Sequence, residues 1–186
     1  MNAISRTFMA DTSAEDDYAA LTSPDTLTLR RRLAGPIDRV WAHVTESDLR
    51  RRWLASGDME LKAGATFELT WRNDDLTVPA GKRPEGFPGV HTSEHQIVAV
   101  TPNDLLAFSF GNFGTVTIRV ESGADDVLLT LVHRGLKDRA TLGFIAPSWH
   151  NHLDLLAARL AGRVPEEAYW DKMARLQTEY DLRLPR

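Results

Sequence analysis

Hydrophobic and polar positions alternate along much of the chain, then give way to a three-to-four-residue recurrence near its end. Residues 26–33 set Leu27, Leu29, Arg31 and Leu33 against Thr28, Arg30 and Arg32, which predicts a strand with one apolar face. Gly35-Pro36 opens a helix whose Ile37, Val40, Trp41 and Val44 share one side. Asp38 sits in its first turn, where the helix dipole favours an anion. Ser47 reads as the N-cap of a second short helix, with Leu49 and Trp53 facing inward. Residues 65–71 alternate again, with Phe67, Leu69 and Trp71 on one face and Thr66, Glu68 and Thr70 on the other. Residues 91–100, 105–110, 115–121 and 126–134 extend the series, divided by turn clusters and by the two-residue hairpin signal Gly111-Asn112. The strand at 126–134 is apolar on both faces through its middle, which predicts a central position.

Residues 145–162 change period. Trp149, Leu153, Leu156 and Leu160 fall on one helical face, Pro147 suits a first helical turn, and Gly162 followed by Pro165 is a stop signal. A second amphipathic helix follows Pro165, with Tyr169, Met173, Leu176 and Tyr180 on its apolar side. That side must be buried against its own domain or against a second copy of the chain, as a homodimer. About six consecutive strands joined by turns make an antiparallel sheet, and helices kept to one face of it give an α+β fold.

The totals narrow the picture without naming a function. At 186 residues the chain is sized for one domain with a substantial core. Residues 1–23 read as a flexible lead-in, 24–164 as the domain and 165–186 as an additional helix. A net charge of -4 argues against nucleic acid as a main partner. The lack of cysteine removes disulfides and thiolate chemistry, and fits the cytoplasm. Neither a signal peptide nor an apolar run long enough for a membrane span is visible. Residues 73–90 hold three prolines and three glycines, so they predict a long loop, disordered or functional as a lid.

The order of elements and several local stretches resemble a known group. LRRRLAGPIDRVWAHVTESDLRRRWL, VTPNDLLAFSF, VLLTLVHRGL and SWHNHLDLLAARL are similar, in that order, to segments of proteins like the activator of the ninety-kilodalton heat-shock-protein ATPase. These belong to the START-related, or SRPBCC, superfamily. The resemblance covers about residues 26–161. It implies a helix-grip fold, in which a curved antiparallel sheet wraps around a long C-terminal helix, with two short helices after the first strand. It further implies a cavity between sheet and helix for a lipid, a polyketide-like aromatic or another small apolar molecule. That fold serves binding, transport and some cyclase or hydrolase chemistry, so it does not select among them. Chaperone stimulation belongs to members with further domains.

Strand parity and helix face nominate Phe67, Leu69, Trp71, Phe108, Phe110, Val116, Ile118, Trp149, Leu153 and Leu156 as cavity lining, or else as solid core. His152, on the flank of the buried helix face, and His133, on the last strand, are the candidates for an acid or base in the cavity. His91 and His95 share a strand face but stand about 13 Å apart by strand rise. His150 and His152 diverge on the helix, and neither pair has metal-ligand spacing. No cofactor fingerprint or nucleophile elbow is present. The expectation is a ligand-binding protein without evident catalysis. The alternatives are an enzyme using His152 or His133, or an interaction module built on the last helix. The triplet Arg50 to Arg52 reads as a solvated basic face, with anion binding as the alternative.

Overall fold

The computed structural model describes residues 17–185. Eight antiparallel strands form one curved sheet: β1 Ala20–Ser23, β2 Thr26–Leu33, β3 Ala55–Ser56, β4 Thr66–Trp71, β5 His91–Thr101, β6 Leu105–Ser109, β7 Thr115–Ser122 and β8 Val127–Arg134. Their order is β1-β2-β8-β7-β6-β5-β4-β3. The last long strand therefore pairs with the first, Leu29 opposite Leu131, and lies inside the sheet as its apolar content requires. Two short helices, α1 Ile37–Thr45 and α2 Ser47–Arg50, separate β2 from β3. The long helix α3, Arg139–Leu160, lies on the sheet, and α4, Tyr169–Arg183, packs on α3. This is the helix-grip α+β arrangement.

Several local expectations need correction. The long helix begins six residues earlier than 145, because Asp138 caps it by accepting from the Thr141 backbone N–H at 2.7 Å. Pro147 thus lies inside the helix, which runs through it. Ser47 is not the cap of α2. Glu46 holds that position, and the Ser47 hydroxyl accepts instead from the Gly57 N–H at 2.9 Å. Gly111-Asn112 does not make a two-residue hairpin. Residues Gly111–Phe113 form a 3-10 turn, and Gly114 at φ 95° closes it where a side chain would strike the Arg134 carbonyl oxygen at 1.8 Å. Arg50 is no solvated charge. It is 1% exposed, and its guanidinium donates to the carbonyls of Thr45, at 2.8 Å, and Gly57.

Both ends of the described residues join this frame. Of the expected lead-in, residues 1–16 lie outside the described part, while Ala20–Ser23 adds strand β1 to the sheet edge. The apolar face of α4 is covered within the chain, where Tyr169, Trp170, Met173, Leu176 and Tyr180 are all buried. It is therefore not left open for a second copy. A charged cluster fixes α4 in place. Asp154 on α3 accepts from Arg31 at 2.9 Å and from Lys172 at 2.6 Å, with His150 at 3.2 Å. Burial alone would raise the Asp154 carboxyl, but the His150 bond and the Arg31 charge hold it well below the carboxylate range.

Candidate functional site

A cavity of about 350 Å³ opens between the sheet and the two long helices. Three groups of residues build it. The sheet supplies Trp71 from the end of β4, His91, Ser93 and His95 from the start of β5, and Phe110 just after β6. Helix α3 supplies Phe144, Ile145, Ser148, Trp149 and His152, which recur on one helical face. Helix α4 and the 73–90 segment close the remaining side with Tyr169, Trp170, Met173, Phe87 and Asn73. Phe113 and Phe144 are both lining and half exposed, which places the opening between the Gly111–Phe113 turn and the first turns of α3.

The 73–90 segment is a wall, and its fixings are specific. The Trp170 indole N–H donates to Asp74 Oδ1 at 2.7 Å, and Arg159 donates to the Leu76 carbonyl at 2.7 Å. Trp170 N–H on the backbone donates to the Ala80 carbonyl at 2.9 Å. Phe87 packs edge-on against Trp170, with ring centres 5.0 Å apart.

Sequence parity brought only part of the nominated lining to the cavity. Trp71, Phe110, Trp149 and His152 face it. Phe67, Leu69, Phe108, Val116, Ile118, Leu153 and Leu156 do not line it. They are buried in one cluster with Val40, Val44 and Trp53 from the helical insertion. Parity assigns a residue to the concave face, but it does not say whether the space above is already filled. Here α1, α2 and the Trp53 segment add bulk to one part of that face, and the cavity survives at the other.

Three histidines, His95, His133 and His152, are held as neutral, oriented groups. A carbonyl only accepts, so the ring nitrogen facing one must carry the proton. His95 Nδ1 therefore donates to the Ser109 carbonyl at 2.8 Å, and its Nε2 accepts from the Ser93 hydroxyl at 2.8 Å. The Trp71 indole N–H donates to the same Ser93 oxygen at 3.2 Å. His152 Nδ1 donates to the Trp53 carbonyl at 2.7 Å, and its Nε2 accepts from the Tyr169 hydroxyl at 3.2 Å. His133 Nε2 donates to the Phe113 carbonyl at 2.7 Å, and its Nδ1 accepts from the Trp149 indole at 3.0 Å. Burial lowers the pKa of all three imidazoles, to about 4 for His133 and His152. Burial likewise pushes the Tyr169 hydroxyl up.

His133 does not reach the cavity, since both its nitrogens are spent beside it. His152 reaches it with its Nε2 covered by Tyr169. Glu68 and Glu94 are exposed on the outer face. Among the described residues no three metal-ligating side chains converge. From the sequence Ser93 is not named, His95 is weighed only as a metal ligand with His91, and Tyr169 is placed only on the apolar side of the last helix. Ser93 and His95 stand two apart on one strand, a spacing that puts both on one face, and this was their one legible signal.

Residues 34–161 match the model of the activator of Hsp90 ATPase homolog 1-like family. The chain belongs to this family. A Bordetella parapertussis protein solved by NMR is similar at 32% identity and a TM-score of 0.76, with 92% of each chain covered. CalU16 from Micromonospora echinospora shares the fold at 20% identity and a TM-score of 0.62, over 84% of this chain and 86% of its own. A Staphylococcus saprophyticus protein does so at 18% identity and a TM-score of 0.59, over 77% and 97%. No curated protein matches the sequence. The family match ends at residue 161, so the α4 side of the cavity, with Tyr169, Trp170 and Met173, lies beyond the shared family segment. No helix among the described residues is long and apolar enough to cross a membrane.

Proposed function

We propose that this family member is a cytoplasmic protein that binds a small apolar molecule, aromatic or lipid-like, between its sheet and long helix. The observation that carries this reading is the cavity itself. Its volume of about 350 Å³ falls in the range of small-molecule sites, roughly 300–1,000 Å³. Trp71, Phe87, Phe110, Trp149 and Trp170 give it aromatic walls, with a few fixed polar groups between them. Such walls suit ring stacking and edge-to-face contacts, each worth about 0.5–1.5 kcal/mol beyond area burial.

Catalysis at this site by His133 finds no support, because His133 lies outside the cavity with both nitrogens engaged. A role for His152 would require Tyr169 to move off its Nε2. Use of α4 as a dimer surface is also disfavoured, because the apolar side of that helix is covered by its own domain.

Native mass spectrometry of the protein purified from cells tests the reading. A small molecule that stays bound under gentle ionisation and is released unchanged on denaturation supports it. A ligand recovered chemically altered after incubation would favour an enzyme instead.

A further inference from the structure

We propose that the cavity selects neutral aromatic molecules bearing hydroxyl or N–H groups, and discriminates against carboxylates, because its fixed hydroxyls are held as hydrogen-bond acceptors and no lysine or arginine lines it among the described residues. This rests on the binding reading above and names the ligand class.

His95 cannot accept at Nδ1, because that nitrogen gives its proton to the Ser109 carbonyl, so its Nε2 takes the proton of Ser93. With the Trp71 indole also donating to it, the Ser93 oxygen receives one hydrogen bond, gives one, and keeps one lone pair. The same construction recurs on the opposite wall. The Trp53 carbonyl fixes the His152 tautomer, His152 Nε2 takes the Tyr169 hydroxyl proton, and the Tyr169 oxygen is left to accept. The Ser148 hydroxyl donates to the Phe144 carbonyl at 2.7 Å and is likewise left with lone pairs. The remaining lining indoles are spent as well, Trp149 on His133 and Trp170 on Asp74.

Asn73, also on the lining, has a buried side-chain oxygen without a partner among the described residues. No lysine or arginine lines the cavity among the described residues. His91, exposed at the edge, is the lining imidazole with neither nitrogen held among the described residues, and it can donate as well as accept.

Turning the Ser93 or Tyr169 hydroxyl toward a ligand acceptor would strip a buried imidazole nitrogen of its donor, a loss a ligand bond only replaces. A phenol or an N–H donor meets ready acceptors and disturbs nothing. A carboxylate meets the lone pairs of those hydroxyls and no lysine or arginine among the described lining residues, with only the Asn73 amide and the edge imidazole of His91 as side-chain donors, after giving up its hydration.

Three ligands of nearly one shape separate these cases: 2-naphthol, 2-methoxynaphthalene and 2-naphthoate, each titrated calorimetrically into the full chain at neutral pH. The expected result is 2-naphthol bound at least tenfold more tightly than either of the others. Equal or tighter binding of 2-naphthoate or 2-methoxynaphthalene would overturn this inference while leaving the binding reading standing. Failure of all three to bind would overturn this inference, and the binding reading falls with it only if native mass spectrometry also finds no small molecule bound. Two-bond proton–nitrogen correlation spectra give an independent check. His95 and His152 must both show the proton on Nδ1, and the opposite tautomer at either overturns the argument.

Discussion

Lowering the pH from 7 to 4.5 should cost the fold about 5 kcal/mol through two histidines alone. His133 and His152 titrate near 6.5 when unfolded and near 4 when folded, because burial penalises the charged ring. A group held below its unfolded pKa makes the unfolded chain bind more protons between the two values. Stability is then complete above about pH 6.5 and falls as the pH drops toward 4. Integrating that difference from pH 7 to 4.5 gives roughly 2–3 kcal/mol for each ring. His95 is shifted the same way and adds to the sum. Much of the 5–15 kcal/mol typical of a domain is at stake. Urea unfolding at half-unit pH intervals measures the slope, and imidazole proton shifts measure the folded pKa values directly. An unfolding free energy that stays flat from pH 7 to 4.5, or ring shifts that titrate near 6.5, would refute the burial argument.

Other perturbations have equally defined outcomes. Asp154→Asn should destabilise by about 2 kcal/mol in urea, less than the 3–5 kcal/mol of a fully buried pair because a quarter of the Asp154 side chain is exposed. Ser148→Phe adds a ring on a half-buried lining position. It should weaken 2-naphthol binding more than tenfold with an unfolding midpoint changed by less than about 1 kcal/mol. Ending the chain at Arg163 removes Tyr169, Trp170 and Met173 from the cavity and uncovers α3. The shortened protein should lose its cooperative thermal transition; a well-folded monomer or dimer would show that α4 is an accessory element.

The fold was legible because its signals repeat. Alternation in β2, β4 and β7, the apolar run of β8 and the helical period of Trp149, Leu153, Leu156 and Leu160 are each redundant over several residues, so tertiary packing reinforced them. Boundaries were lost where one side chain decides. Asp138 outweighed Pro147 as the start of α3, since a capping carboxylate satisfies an orphan N–H while an interior proline only removes a bond.

The site was half legible. Trp71, Phe110, Trp149 and His152 carry an inward parity, and Trp71 and Phe110 also stand at or just past the ends of their strands. Phe67, Leu69 and Leu153 carry the same parity but lie where the helical insertion contributes to the core. The histidine relays were hidden because each depends on a carbonyl far away in sequence, such as that of Trp53 for His152. Arg50 was misread for the same reason: its partners are backbone carbonyls, which composition does not reveal.

The most direct test of a ligand-binding cavity uses the chain's five tryptophans. Trp71, Trp149 and Trp170 line the cavity, whereas Trp41 and Trp53 are buried elsewhere in the core. Titration with 2-naphthol, followed through the five indole N–H resonances, separates the two sets. A bound ligand should shift the first three saturably and with one dissociation constant, leaving Trp41 and Trp53 in place. Absence of any saturable shift, or equal shifts of all five, would contradict the account.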